Sequence, residues 1–212
     1  NATGPWVDRF LDSSTPVPAR RHPRIVKGSH IVVPRLFDHD FAYIFQAPDR
    51  RIVFAIPYER EYTLIGTTER DYQDDLATPE IETPEVDYLL AMANRYFRRE
   101  LARSDVRWSF AGLRPLLADP ADVATSVTRD YVLDVEEQGP PLLSIYGGKL
   151  TTYRRLAEDV LDELAARLGW SRKHWTEGAP LPGGDMANAD FGAFLDELRK
   201  AYPRLPAALL GR

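Results

Sequence analysis

Four short strand-like runs follow one another between residues 24 and 68, and no segment between them is long enough to form a crossover helix. They are rich in β-branched and aromatic residues and read RIVKGSHIVVP, AYIFQAP, RIVFAIPY and YTLIGTT. Parallel strands need crossover connections of about a dozen residues or more. Only short polar or proline-bearing turns separate these runs, so we expect the strands to pair antiparallel.

Three later runs have the same strand character. The first, 106–117, contains Gly112 and Pro115, and we expect it to be bent or interrupted there. The other two are 130–136 and 142–146. The sequence therefore predicts a mostly antiparallel sheet of many short strands.

Apolar residues recur at helical spacing in three segments, 83–101, 149–168 and 190–203. Thr83 is a candidate cap for the first helix, and Gly169 suits the end of the second. Together with the strands these helices predict an α+β fold, in which helices flank the sheet.

Composition excludes several classes of protein. The 212 residues carry a net charge of −5, which argues against a general nucleic-acid binder. The absence of cysteine excludes disulfides, thiolate catalysis and cysteine-based zinc sites. Spacing of the HExxH type is missing among the four histidines, so we predict no metal site. The sequence has no apolar run of membrane-spanning length. It opens without a methionine, which suggests a piece of a longer protein.

The run SIYGGKLTTYRR reads as a strand, a tight turn and a helix. Gly147 and Gly148 allow close approach to the backbone, Lys149 adds a positive charge, and a helix N-terminus exposes unpaired N–H groups. This combination suits a phosphate, a carboxylate or the electron-rich edge of a flavin. A plain turn with a solvated lysine is the alternative, and the spacing is not that of a P-loop.

Two further residues are candidates for chemistry. Arg114 lies within the apolar stretch AGLRPLL, where it needs either a buried carboxylate partner or an anionic ligand. His30, in KGSHIVVP, is either structural or a general base. In IGTTER, we expect Thr67, Thr68 and Glu69 to stabilise a strand end or turn, with a cofactor contact as the alternative.

Six segments occur together in one order: NATGPWVD, KGSHIVVPR, IVFAIPYEREYTLIGTTERDY, WSFAGLRPLL, TRDYVLD and LLSIYGGKLTTYRRLAEDVLDEL. As a set they resemble the FAD-dependent (aerobic) glycerol-3-phosphate dehydrogenases, which are similar in fold to glycine and D-amino acid oxidases. The resemblance covers residues 1–168. The GxGxxG turn of the dinucleotide-binding half is missing, so we expect a fragment that is inactive alone.

The resemblance implies a division of the chain. Residues 1–12 would end the FAD-binding domain, and 13–135 would form a substrate domain of the D-amino-acid-oxidase type. Residues 136–170 would return to the FAD domain as a strand and a helix. The last segment, 171–212, would hold a linker and the start of a C-terminal helical domain.

The implied reaction is the oxidation of sn-glycerol 3-phosphate to dihydroxyacetone phosphate, with hydride passing to FAD. His30 would accept the hydroxyl proton, and Arg114 would clamp the substrate anion or orient its C2 oxygen. Lys149 and Thr151 would also bind substrate. The residues implied at the cofactor are Ala2, Thr3, Gly4, Gly147, Gly148, Lys149, Leu150 and Thr151.

The resemblance also implies partners. Electrons would pass to a quinone, and the full-length protein would be cytoplasmic and attached peripherally to a membrane surface. The resemblance leaves open whether the protein is a homodimer. Two alternatives remain. One is a related flavoprotein oxidase of an amino or hydroxy acid, in which Arg114 would hold a carboxylate. The other is a binding module that uses the sheet without flavin.

Overall fold

The computed structural model describes residues 1–14, 21–117, 130–171 and 173–211, which form two compact units, Asn1–Leu156 and Ala157–Arg212. The first unit contains a sheet whose described strands all pair antiparallel, as predicted. Its strands are β1 (Arg24–Pro34), β2 (Tyr43–Gln46), β3 (Ile52–Tyr58), β4 (Tyr62–Gly66), β5 (Arg70–Asp71) and β6 (Trp108–Leu116).

The long strand β1 organises this sheet. Two strands pair with the first edge of β1. β5 pairs with Val26 and Lys27, and β4 pairs with the residues from His30 to Pro34. The other edge pairs with β6 along nine consecutive positions, Arg24 to Val32. β3 and β2 extend the sheet beyond β4.

Of the bend or interruption predicted for β6, the interruption was wrong. The strand runs unbroken through Gly112 and Pro115, with Gly112 opposite Gly28. Within the described residues β6 pairs with β1 alone, so it is an edge strand there. Proline is tolerated on an edge strand because its missing N–H is not needed for a second ladder.

One face of the sheet packs against helix α2 (Thr83–Tyr96). The N-cap of this helix is Glu82 and not Thr83, because the carboxylate of Glu85 accepts the Glu82 N–H at 3.0 Å. The helix ends before the predicted residue 101, with Phe97 extended. The buried core residues between sheet and helix include Ile31, Val33, Val53, Ala55, Ile65, Leu89, Leu90 and Ala93.

A second, two-stranded sheet pairs β7 (Tyr131–Glu136) with β8 (Leu142–Gly147). Asn1 is hydrogen-bonded to β8, since its N-terminal amine donates to the Leu143 carbonyl and Ile145 N–H donates to the Asn1 carbonyl. A 3₁₀ turn (Gly4–Trp6) and helix α1 (Val7–Ser14) follow. Neither helical segment was predicted from the sequence.

Helix α3 (Tyr153–Leu168) follows a 3₁₀ turn (Leu150–Thr152) and leads into the second unit. It ends at Gly169, which has φ +67°, as predicted. In the second unit α4 (Phe191–Ala201) is capped by the Asp190 side chain, and α5 (Ala207–Leu210) follows. Within the parts of the chain described, no helix has the length and apolar character needed to cross a membrane.

Candidate active site

The second face of the sheet carries the predicted catalytic residues. Side chains alternate along a strand, so Lys27, Ser29 and Ile31 of β1 point towards α2 while Gly28 and His30 point to the opposite face. Arg114 of β6 lies opposite Val26 in the register and therefore shares that second face. The β1–β6 pairing thus brings together two residues that lie far apart in the chain.

The imidazole of His30 is held between two neighbouring strands. On the β6 side it stacks on the ring of Phe110, with centroids 4.8 Å apart and planes 7° apart. On the β4 side it covers Gly66, where an added Cβ would lie 2.1 Å from the His30 Cδ2. Its Nδ1 atom is buried and makes no hydrogen bond within the described residues.

Burial and the positive charge of Arg114 both lower the pKa of His30 below its ordinary value. The ring is therefore neutral at physiological pH, and a neutral imidazole has one nitrogen that can accept a proton. This is the protonation state that a general base requires.

The guanidinium of Arg114 lies over β1. Gly28 makes room for it, because a Cβ at that position would lie 2.3 Å from Arg114 Nη1. Arg114 Nη2 donates to the Thr67 hydroxyl at 3.0 Å. Thr67 belongs to the short connection between β4 and β5, so two elements besides β6 fix the position of the guanidinium.

His30 and Arg114 line one cavity of about 450 Å³. The walls combine three guanidinium groups, one carboxylate, one imidazole, one hydroxyl and two apolar side chains, which makes the cavity suitable for a small anion. Its lining residues are His30, Arg50, Arg51, Ile52, Phe54, Thr67, Glu69 and Arg114.

A second hollow, of about 290 Å³, also borders Arg114. It is lined by Leu113, Arg114, Pro115, Leu116, Gly148 and Lys149. Arg114 therefore borders both hollows and connects the glycine-lysine turn with the cavity of His30.

The turn after β8 has the backbone geometry that its glycines predict. Gly147 and Gly148 have φ of +72° and +94°, a region that side-chain-bearing residues rarely adopt. The Lys149 N–H is bound by the Thr152 hydroxyl at 3.1 Å. The N–H groups of Leu150 and Thr151 make no hydrogen bond to the described parts of the chain, so these two donors point to a ligand or to solvent.

Several predicted site residues line neither hollow. The Leu150 side chain is 87% exposed, and Thr151 is exposed as well. Ala2, Thr3 and Gly4 continue from Asn1, which pairs with β8, and so lie beside the strand that leads into Gly147. Their contact with a cofactor stays a prediction.

Six of the eight residues that line the cavity were not predicted to line it. Arg50, Arg51, Ile52 and Phe54 lie in the β2–β3 turn and in β3, where no sequence pattern marked them. Glu69 lies in the β4–β5 connection and was predicted to stabilise a strand end or turn. Thr67 was read as a strand-end residue, although it binds Arg114. Among the described residues no cluster of histidine, aspartate and glutamate could hold a metal ion.

Comparison with known proteins places this geometry in a family. The model of the FAD dependent oxidoreductase family (DAO) matches residues 1–154. The chain is 44% identical to the aerobic glycerol-3-phosphate dehydrogenase of Escherichia coli (strain K12), over 99% of this chain and 42% of that protein. It is 43% identical to the D-erythritol 1-phosphate dehydrogenase of Brucella abortus (strain 2308), with the same two coverages.

The solved structure of the glycerol-3-phosphate dehydrogenase from Bacillus halodurans, complexed with FAD, superposes with a TM-score of 0.82 at 34% identity. That match covers 100% of this chain and 41% of the solved chain. The chain thus spans less than half the length of these relatives. Because the family model matches most of the chain, including β1, β6 and the glycine-lysine turn, the chain belongs to the FAD-dependent oxidoreductase family.

Proposed function

We propose that the protein carrying this chain oxidises sn-glycerol 3-phosphate to dihydroxyacetone phosphate with FAD as cofactor. The observation that carries the proposal is the shared cavity of His30 and Arg114, a neutral base beside a fixed cation. The relatives named glycerol-3-phosphate dehydrogenase support the choice of substrate.

The residues present fit FAD. Gly148 offers a surface without a side chain, Lys149 offers a positive charge, and the N–H groups of Leu150 and Thr151 are available as donors. These groups would hold the electron-rich edge of the flavin, which carries more negative charge after reduction. When bound, FAD supplies the hydride acceptor for the substrate carbon.

His30 would remove the proton of the C2 hydroxyl. Its pKa is lowered by burial and by Arg114, so the ring is ready to accept that proton at neutral pH. Stacking on Phe110 and contact with Gly66 hold the ring in place, which keeps the accepting nitrogen in a fixed position.

Arg114 would bind the substrate anion or its C2 oxygen. Its planar guanidinium can donate two parallel hydrogen bonds to a phosphate, and Thr67 holds one side of it. Lys149 borders the adjoining hollow and adds a second positive charge for the phosphate. Thr151 would be a further substrate contact, which the family resemblance alone supports.

The test uses the complete protein that contains this chain, loaded with FAD. His30→Ala and Arg114→Ala should each lower kcat/KM at least about 10²-fold, the range in which general bases contribute. The matched controls are His39→Ala, whose ring contacts Phe37, Phe41 and Tyr43 outside the cavity, and Arg103→Ala, which pairs with Asp87 at the surface. A loss of only a few-fold for both site variants would refute the roles.

A second substrate is favoured by a specific observation. The D-erythritol 1-phosphate dehydrogenase of Brucella abortus is 43% identical to this chain, against 44% for the glycerol-3-phosphate dehydrogenase of Escherichia coli. Its named substrate joins a polyol to a phosphate, and the cavity chemistry suits both molecules. Kinetics with both substrates decides, and a kcat/KM that is higher for D-erythritol 1-phosphate would replace the first candidate.

The proposal extends to the electron acceptor and the location. We propose a quinone as acceptor, with the cytoplasmic protein peripherally attached to a membrane surface, and the family resemblance is what supports this. The measurement is reoxidation of the reduced protein by a short-chain quinone compared with oxygen, with and without lipid vesicles. Faster reoxidation by oxygen would favour an oxidase instead. Sedimentation of the complete protein would test the homodimer.

A further inference from the structure

A polar network lies on the reverse side of the strand that carries His30. Lys27 and Ser29 of β1 are buried on the α2 side of the sheet, together with Thr68 and Glu85. The side chain of Glu85 is 2% exposed, which is rare for a carboxylate in a core otherwise built of apolar residues. The proposed mechanism uses none of these four groups.

The Glu85 carboxylate accepts four donors. Its Oε1 accepts the Ser29 hydroxyl at 2.9 Å and the Thr68 hydroxyl at 2.6 Å. Its Oε2 accepts the Glu82 N–H at 3.0 Å and lies 2.9 Å from Lys27 Nζ. Burial raises the pKa of Glu85, but the hydrogen bonds from Thr68, Glu82, Lys27 and Ser29 outweigh burial and keep it below the usual value.

The two hydroxyl donors are the direct chain neighbours of site residues. Ser29 precedes His30, and Thr68 follows Thr67, which accepts the hydrogen bond from Arg114. Ser29 and Thr68 are also hydrogen-bonded to each other: Ser29 N–H donates to the Thr68 hydroxyl at 2.9 Å, and Thr68 N–H donates to the Ser29 carbonyl at 3.3 Å. The Glu85 carboxylate therefore links residues 29–30 and residues 67–68 from the α2 side of the sheet.

We propose that Glu85 is a positioning residue, which fixes His30 and the Thr67–Arg114 pair in one geometry through Ser29 and Thr68. The inference rests on the proposed function, because the reaction determines which geometry matters. A shift of about 1 Å at a reacting group can lower the rate about 10²-fold. Removing the carboxylate loosens both segments, and both site groups move with them.

Glu85→Gln removes the charge with little change in shape. The amide has one acceptor oxygen, so it cannot serve the two hydroxyls and also face Lys27 and the Glu82 N–H. In the complete FAD-loaded protein, kcat/KM should fall about 10²-fold. Glu82→Gln is the matched control on the same helix, since Glu82 also binds Lys27 but contacts neither Ser29 nor Thr68. It should stay within about threefold of wild type.

A second pair of variants tests the proposal even if Glu85→Gln does not fold. Thr68→Val keeps the shape of a residue that is 1% exposed and removes its hydroxyl, whereas Thr68→Ser keeps the hydroxyl. Thr68→Val should lose about as much kcat/KM as Glu85→Gln, and Thr68→Ser should restore most of it. A purely structural role would affect both Thr68 variants according to stability and not according to the hydroxyl.

Two readouts separate positioning from stability. Amide hydrogen exchange at residues 29 and 68 should speed up in Glu85→Gln, in a measurement that needs no turnover. The acid limb of kcat/KM should move to higher pH, because a displaced His30 is less buried and its pKa rises. The charged groups that share its cavity are unchanged in this variant, namely Arg50, Arg51, Glu69 and Arg114.

The outcomes distinguish the two proposals. A wild-type protein that turns over neither polyol phosphate refutes the proposed function. Wild-type turnover together with unchanged kinetics in Glu85→Gln and Thr68→Val refutes the positioning role alone. Equal losses in Glu82→Gln and Glu85→Gln would also refute it, because the loss would then follow Lys27 and not the two hydroxyls.

Discussion

Adding one methyl group at Gly66 should displace the catalytic imidazole. Gly66 lies opposite His30 in the β1–β4 pairing, and a Cβ built there would be 2.1 Å from Cδ2 and 2.6 Å from both Cγ and Nε2 of His30. Ordinary contact begins near 3.4 Å, so the ring or the strand has to move by about 1.3 Å. The ring cannot simply tilt away, because Phe110 stacks on it with planes 7° apart.

A displacement of this size is expected to lower kcat/KM of Gly66→Ala about 10²-fold, or about 2.7 kcal/mol in activation free energy. Overpacking should also reduce the free energy of unfolding by about 1–3 kcal/mol. The φ angle of Gly66 is outside the left-handed region that favours glycine, so the expected effect comes from the contact with His30.

The assay is the rate of bound-flavin reduction as a function of substrate concentration, which gives kcat/KM, measured in the complete protein alongside thermal unfolding. Gly112→Ala is the control, because Gly112 lies on a neighbouring strand of the same face and nothing lies within 4 Å of its added Cβ. Activity of Gly66→Ala within threefold of wild type would refute the reasoning that a fixed His30 ring carries the reaction.

Three further variants test the electrostatics and the core. Arg114→Met should raise the pKa of His30, since it removes the positive charge while burial remains, and the ring titration followed by NMR measures this. Lys27→Met should lower the free energy of unfolding by about 3–5 kcal/mol in urea, because it leaves the buried Glu85 carboxylate without its cation. The same change should raise the pKa of Glu85, so acid should unfold this variant at a higher pH than it unfolds wild type. Leu89→Ala, at a fully buried position of α2, should cost about 2–5 kcal/mol in unfolding while kcat stays near wild type.

Most of the sheet could be predicted from the sequence because its strands are runs rich in β-branched and aromatic residues with short connections. The exception is β5, whose two residues are Arg70 and Asp71 and which was not predicted. β1 was predicted with its bounds, Arg24–Pro34, unchanged. Helix α1 was missed because VDRFLDSS spans only eight residues and its buried side is limited to Val7 and Leu11. The predicted domain boundaries at 12, 135 and 170 stay predictions, since they refer to parts of a longer protein.

The apolar face predicted for α3 shows what a local pattern leaves open. Helical spacing places Leu161 and Leu168 on one face of α3, yet in the described chain they are 46% and 55% exposed. The buried residue of α3 is instead Glu158, whose carboxylate accepts the Thr176 hydroxyl. Helical spacing identifies a common face, but it does not identify the surface that covers that face.

The candidate site was predictable only where one residue contradicted its surroundings. An arginine within an apolar strand and a histidine before an apolar run stand out in a linear sequence. Arg50, Arg51 and Thr67 do not stand out, because they reach the cavity through the β2–β3 turn and the β4–β5 connection. Their part in the site depends on strand pairing, which no local pattern of residues specifies.

The two faces of β1 explain why one strand carries so many unusual residues. Lys27 and Ser29 serve the network behind the sheet, while Gly28 and His30 serve the site in front, and the alternation of the strand keeps the two sets apart. A slip of one residue in the register would turn the imidazole into the core and bring Lys27 to the cavity. The buried carboxylate of Glu85 opposes such a slip, because it pairs with Lys27 and Ser29 only in the native register. On this reasoning, the network that fixes the geometry of the site also fixes the register of the sheet.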